Sequence, residues 1–114
     1  MSSLYDLEKA KITNPMLAQN TSTSGVAAEA TLTSQGPNRI TRVTKIDASY
    51  SDSTKSGLLT ITGLGVTVQK YIHGSGAIDF ADDGSDGVIG TDIVATLAAV
   101  ASTIATVTIS GFWR

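Results

Sequence analysis

No cysteine occurs anywhere in the chain. That excludes a disulfide frame, thiol nucleophiles and thiolate metal sites. Imidazole is nearly as scarce, with His73 the single copy. Acid–base and metal chemistry need several titratable groups brought together, so both start with few candidates. Aromatic residues make up only 5% of the chain, which leaves the core to aliphatic side chains. No apolar run reaches the ~18–20 residues that span a bilayer as a helix, and no membrane association is expected. A net charge of −2 offers no basic footprint for nucleic acid. Arg39, Arg42 and Lys45 are the closest basic cluster, and they read as a solvated strand face. The first residues, Met1 to Leu17, carry charges where a signal peptide needs a continuous apolar stretch. Synthesis in a cytoplasm without a cleaved signal is the expectation.

What remains is β-forming material. Residues 39–114 consist of short runs of Ile, Val, Leu and Thr separated by Gly, Ser and Asp. β-Branched residues alternating with hydroxyl residues suit strands with one face in a core and the other in water. The first predicted strand is Ile40 to Tyr50, with Ile46, Ala48 and Tyr50 on one face and Asp47 and Ser49 on the other. Leu58 to Thr62, Val66 to Ile72, Ala77 to Phe80 and Thr106 to Phe112 follow, punctuated by glycine-rich turns. Residues 92–104 admit two readings. Ile93, Leu97, Val100 and Ile104 recur at helical spacing, yet β-branched residues lose side-chain freedom in helices. A strand over 92–98, a turn and a second strand from Ile104 is favoured. At 114 residues the chain is one domain's worth. The expected fold class is all-β, a single β-sandwich or jelly-roll-like domain over 39–114.

Residues 1–38 have a different character and predict an extended N-terminal arm. Ser3 to Asp6 has the spacing of a helix start, with Leu4 and Leu7 on one face. Asn14-Pro15 would end that helix. A polar stretch from Gln19 to Gly25 follows, and Val26 to Leu32 reads as a weak strand or more arm. Gln35-Gly36-Pro37-Asn38 separates this region from the regular part. The arm is expected to serve partner or subunit binding.

Three candidate sites can be weighed against plainer readings. Asp82, Asp83 and Asp86, with Gly84 and Gly87, look like a cation loop. However, the twelfth position of an EF-hand begun at Asp82 is Ile93, where a bidentate Glu is needed. An acidic turn is the better reading, with no metal and no other cofactor. His73-Gly74-Ser75-Gly76 echoes a nucleophile elbow but lacks its first glycine and following helix. A turn histidine without a catalytic role is preferred. Phe112 and Trp113 are neighbours and must face opposite sides of a strand, which makes Trp113 a candidate contact residue.

Taken in order, several segments carry a resemblance: Ser56 to Ile61, Gly74 to Phe80, Gly90-Thr91 with Ala95 to Leu97, and Thr106 to Trp113. Their arrangement resembles the small all-β capsid decoration, or cement, proteins of tailed bacteriophages. The resemblance covers residues 39–114 and lies in the order of strands and glycine turns. It implies a non-enzymatic virion structural protein on the capsid exterior, assembled in the host cytoplasm and bound to the major capsid protein. It also implies a homotrimer that reinforces contacts between capsid proteins. Leu4, Tyr5, Leu7 and Trp113 are the candidate interface residues. The stretch from Ile93 to Trp113 has no Lys or Arg and is expected to form an unguarded edge between copies. The rival reading is a phage fibre or host-surface carbohydrate-binding module.

Overall fold

The computed structural model describes residues 14–80 and 84–114. They form nine strands: β1 (Pro15–Thr21), β2 (Ala28–Leu32), β3 (Thr41–Tyr50), β4 (Ser56–Thr62), β5 (Val68–His73), β6 (Ser75–Asp79), β7 (Ser85–Asp86), β8 (Ile93–Leu97) and β9 (Ala105–Trp113). Two antiparallel sheets result. One has the order β1-β9-β3-β6, with the short β7 also on β3, and the other has the order β2-β8-β4-β5. The pairing is nested, β4 with β5, β3 with β6, β2 with β8 and β1 with β9. The chain is thus a long ribbon folded at the β4–β5 hairpin and wound across two sheets, which is the jelly roll. The expected all-β sandwich is the observed fold.

Alternation produces the core. In β8 the pattern Ile93, Ala95 and Leu97 points inward, and in β9 Ala105, Val107 and Ile109 do the same. They meet Ile46 and Val43 of β3 and Leu59 and Ile61 of β4, all fully buried. Val43 and Ile46 are three residues apart, which breaks a period of two. A β-bulge reconciles them, because Val43 pairs with Gly111 and Lys45 with Ser110, leaving Thr44 extra. The Thr44 hydroxyl donates to the Ser110 carbonyl at 3.1 Å.

The strand–turn–strand reading of 92–104 is the observed one, as β8, a turn and β9. The helical spacing was misleading for a simple reason. Positions four apart also share a strand face, so Ile93 and Leu97 are both core residues of β8.

Two other expectations need correction. The described part of the 1–38 arm is not an arm. β1 pairs along its whole length with β9, and β2 pairs with β8 and buries Ala28, Ala30 and Leu32. The polar sequence of β1 concealed it, since an edge strand needs little apolar character on its outer face. The proposed helix at Ser3 to Asp6 lies outside the described residues. The Ile93–Trp113 stretch is also not an edge, because β8 and β9 are both interior strands. The open sides lie at β1 with β2 and at β5 with β6, and each has a polar crosslink. Lys70 of β5 donates from Nζ to the Ala77 carbonyl of β6 at 2.7 Å. Asn20 of β1 accepts the Glu29 N–H of β2 at 3.3 Å. Both bridges place polar groups where a foreign strand would pair.

Two glycines allow close approaches that the topology requires. Gly74 alone separates β5 in one sheet from β6 in the other, at φ +72°. Its N–H donates to the Lys55 carbonyl at 2.8 Å and its own carbonyl accepts the Tyr50 N–H at 2.7 Å. A Cβ there would lie 2.6 Å from the Ser53 carbonyl oxygen. Gly57 leaves room for Tyr50, which is 5% exposed and crosses from β3 to donate its hydroxyl to the Ala98 carbonyl at 2.7 Å.

Candidate assembly interface

One end of the jelly roll gathers the 33–40, 63–67 and 87–92 loops together with Asn14 and the final residues. Backbone hydrogen bonds fasten these loops to each other. Val88 N–H donates to the Gly63 carbonyl and Gly90 N–H to the Arg39 carbonyl, both at 2.8 Å. Gly87 N–H reaches the Thr41 carbonyl at 2.7 Å, tying the same loop to the start of β3. The turn closed by Thr91 N–H to the Val88 carbonyl then presents two β-branched residues to water. Val88 is 44% and Ile89 55% exposed, and Val66 on the adjacent hairpin is 69% exposed. Turn tips favour Gly, Asn, Asp and Ser because those residues suit turn backbones, so three exposed aliphatics there are unusual. Val66 and Val88 line a shallow hollow of about 360 Å³ with Gly63, Gly65, Thr67 and Thr91.

Charged and aromatic groups lie at the same end. Trp113 ends β9, pairs with Thr41 and is half-buried. Its N–H donates to the Asn14 carbonyl at 3.2 Å, and the Asn14 amide donates to its carbonyl at 3.3 Å. The Arg39 guanidinium lies over the Trp113 ring, 5.1 Å from its centre. Among the described residues no carboxylate pairs with Arg39. Asp86 bridges two other guanidiniums, Arg42 and Arg114, at 2.9 Å each. Exposed aliphatic side chains together with Trp and Arg are residue types that protein interfaces concentrate. Leu4, Tyr5 and Leu7 lie outside the described residues, so of the four sequence candidates only Trp113 can be placed.

The remaining candidates separate. His73 does not pair with Ser75. Its Nδ1 lies 2.9 Å from the Ser56 hydroxyl, and its ring stacks on Tyr71 with centres 6.0 Å apart. Among the described residues no carboxylate holds the other ring nitrogen. Asp82 and Asp83 lie outside the described residues. Both oxygens of Asp86 face guanidiniums, an arrangement suited to an ion-pair bridge rather than a cation ligand. Burial, and secondarily the nearby Tyr71, pushes the Tyr50 hydroxyl above its ordinary pKa. Hydrogen bonds from the Thr54 hydroxyl and N–H hold Asp52 below its ordinary value. Neither shift brings a pKa closer to neutral pH, where general acids and bases operate.

Sequence reading missed Val66, Val88, Ile89 and Arg39. The available signal was aliphatic residues set between turn glycines, Val66 after Gly65 and Val88-Ile89 between Gly87 and Gly90. In the sequence Arg39 reads as part of a solvated strand face. Its position on Trp113 depends on β3 and β9 being neighbours.

No family model matches the chain, and no curated protein matches its sequence. Several solved structures are similar at low identity. A de novo designed double-stranded β-helix is 10% identical with a TM-score of 0.39, covering 83% of this chain and 97% of that one. The virus-like particle of the extra small virus of the giant freshwater prawn Macrobrachium rosenbergii is 13% identical with a TM-score of 0.42. That match covers 90% of this chain and 80% of the viral one. The capsular polysaccharide assembling protein CapF of Staphylococcus aureus is 12% identical with a TM-score of 0.37, over 87% of this chain and 25% of CapF.

Proposed function

We propose that this protein is a non-enzymatic virion structural protein that binds the outer surface of a phage capsid and reinforces contacts between major capsid proteins. The loop end carries the reading. Val66, Val88 and Ile89 form an exposed aliphatic tip at the same end of the fold as Arg39 and Trp113, a surface suited to docking on protein. The resemblance to phage decoration proteins supplies the capsid and the homotrimer.

The test is addition of purified protein to particles assembled without it. The expected result is saturable, stoichiometric binding that Ile89→Asp abolishes while thermal stability stays unchanged. Failure of the wild-type protein to bind would refute the reading. A second reading, a carbohydrate-binding module, has one observation in its favour. Tyr71 is 62% exposed and stacked on His73 on an outer sheet face. A glycan array on which Tyr71→Ala removes a wild-type signal would support it.

A further inference from the structure

We propose that the loop end of one copy receives residues 4–8 of a second copy, with Arg39 pairing to a carboxylate of that segment and its aliphatic side chains filling the hollow beside Val66 and Val88. This inference rests on the reading of the loop end as an assembly surface and goes further by naming the occupant. Three observations lead to it. The first is the chemistry of the end. Arg39 is exposed, is held on the Trp113 ring, and has no carboxylate partner among the described residues. A guanidinium held this way presents its N–H fork to an incoming carboxylate with little left to order. The second is the linkage to the apolar site. The Arg39 carbonyl accepts the Gly90 N–H of the same turn that presents Val88 and Ile89, so the two loops carrying the cation and the aliphatic tip are fastened together. A matching ligand carries both a carboxylate and aliphatic side chains.

The third observation is that the chain carries such a segment. Leu4-Tyr5-Asp6-Leu7-Glu8 alternates apolar and acidic residues more closely than any other stretch of the sequence. It departs from the right place. Asn14 is hydrogen-bonded to Trp113 from both its backbone and its side chain, so the point at which the first thirteen residues join the described body is at the loop end. At ~3.3–3.6 Å per residue a segment of that length can span at most about 45 Å, several times the ~10 Å thickness of a sandwich. Copies exchanging this segment around a closed ring fill every hollow beside Val66 and Val88 and leave Ile89, which does not line it, for the capsid contact. The polar bridges at Lys70 and Asn20 disfavour joining copies through strand edges, which leaves the loop end as the better surface.

Charge reversal in the full chain tests this. Arg39→Glu is expected to weaken self-association at least tenfold in sedimentation velocity, and so is Asp6→Arg combined with Glu8→Arg. Arg39→Gln, with unchanged melting, checks that the loss comes from charge and not from folding. Combining the three substitutions in one chain is expected to restore association, because every basic arm then meets an acidic end whatever the number of copies in the ring. Unchanged association in either variant, or a triply substituted protein that stays monomeric, would overturn the proposal. If association survives these changes while Ile89→Asp still abolishes addition to particles, the exchange is wrong and the assembly reading stands.

Discussion

The contact of Tyr50 with Gly57 allows a prediction in which two substitutions compensate. The Tyr50 hydroxyl, carried on β3, crosses to the opposite sheet and donates to the Ala98 carbonyl at 2.7 Å. It passes directly over Gly57 of β4, where an added Cβ would collide with the hydroxyl oxygen and come within 2.9 Å of the ring carbon bearing it. Tyr50→Phe leaves the Ala98 carbonyl without that donor, an expected loss of about 1–3 kcal/mol. Gly57→Ala overpacks the same space, also at about 1–3 kcal/mol. Independent effects would sum to roughly 2–6 kcal/mol. They are not independent, because removing the hydroxyl removes the atom that the new methyl strikes. The double variant should therefore be more stable than the sum predicts, by about 0.5–3 kcal/mol. The cycle is read from urea unfolding of all four proteins, with equal denaturant slopes as the control. Additivity to within ~0.5 kcal/mol would refute the packing argument, as would a Gly57→Ala protein as stable as the parent.

Four further outcomes follow from the fold. Leu59→Ala, at a fully buried site beside Leu97 of β8, should cost about 2–5 kcal/mol by denaturant unfolding. Deleting residues 1–36 removes β1 and β2 with Ala28, Ala30 and Leu32, so calorimetry of the remainder should lack a cooperative transition. Lys70→Ala frees the Ala77 carbonyl and removes the charge between β5 and β6, and light scattering should record concentration-dependent association beyond that of the parent. Asp52 has a folded pKa below its ordinary 3.8, so the stability it adds is complete above that value and is lost as pH falls through the folded pKa. Melting temperature against pH should therefore fall less steeply on the acid side for Asp52→Asn than for the parent.

Much of this architecture was legible in the linear pattern, and the limits were physical. Alternation of β-branched and polar residues in 93–97 and 105–110 determined strands with one inward face, since side chains on a strand can point only two ways. Scarcity of titratable groups likewise left few routes to chemistry. Pattern alone could not identify β1, whose outer positions are solvated and whose place depends on β9, more than eighty residues away in the chain. It also could not tell edge from interior. Ile93 to Trp113 looks unguarded in one dimension, and only the nested winding places β8 and β9 between other strands. The loop end is a tertiary product for the same reason. Val66, Val88, Arg39 and Trp113 are far apart in sequence, and they come to one end because the ribbon folds at the β4–β5 hairpin and fastens its tip to the 87–92 loop, which also bonds Arg39, whose guanidinium lies on Trp113.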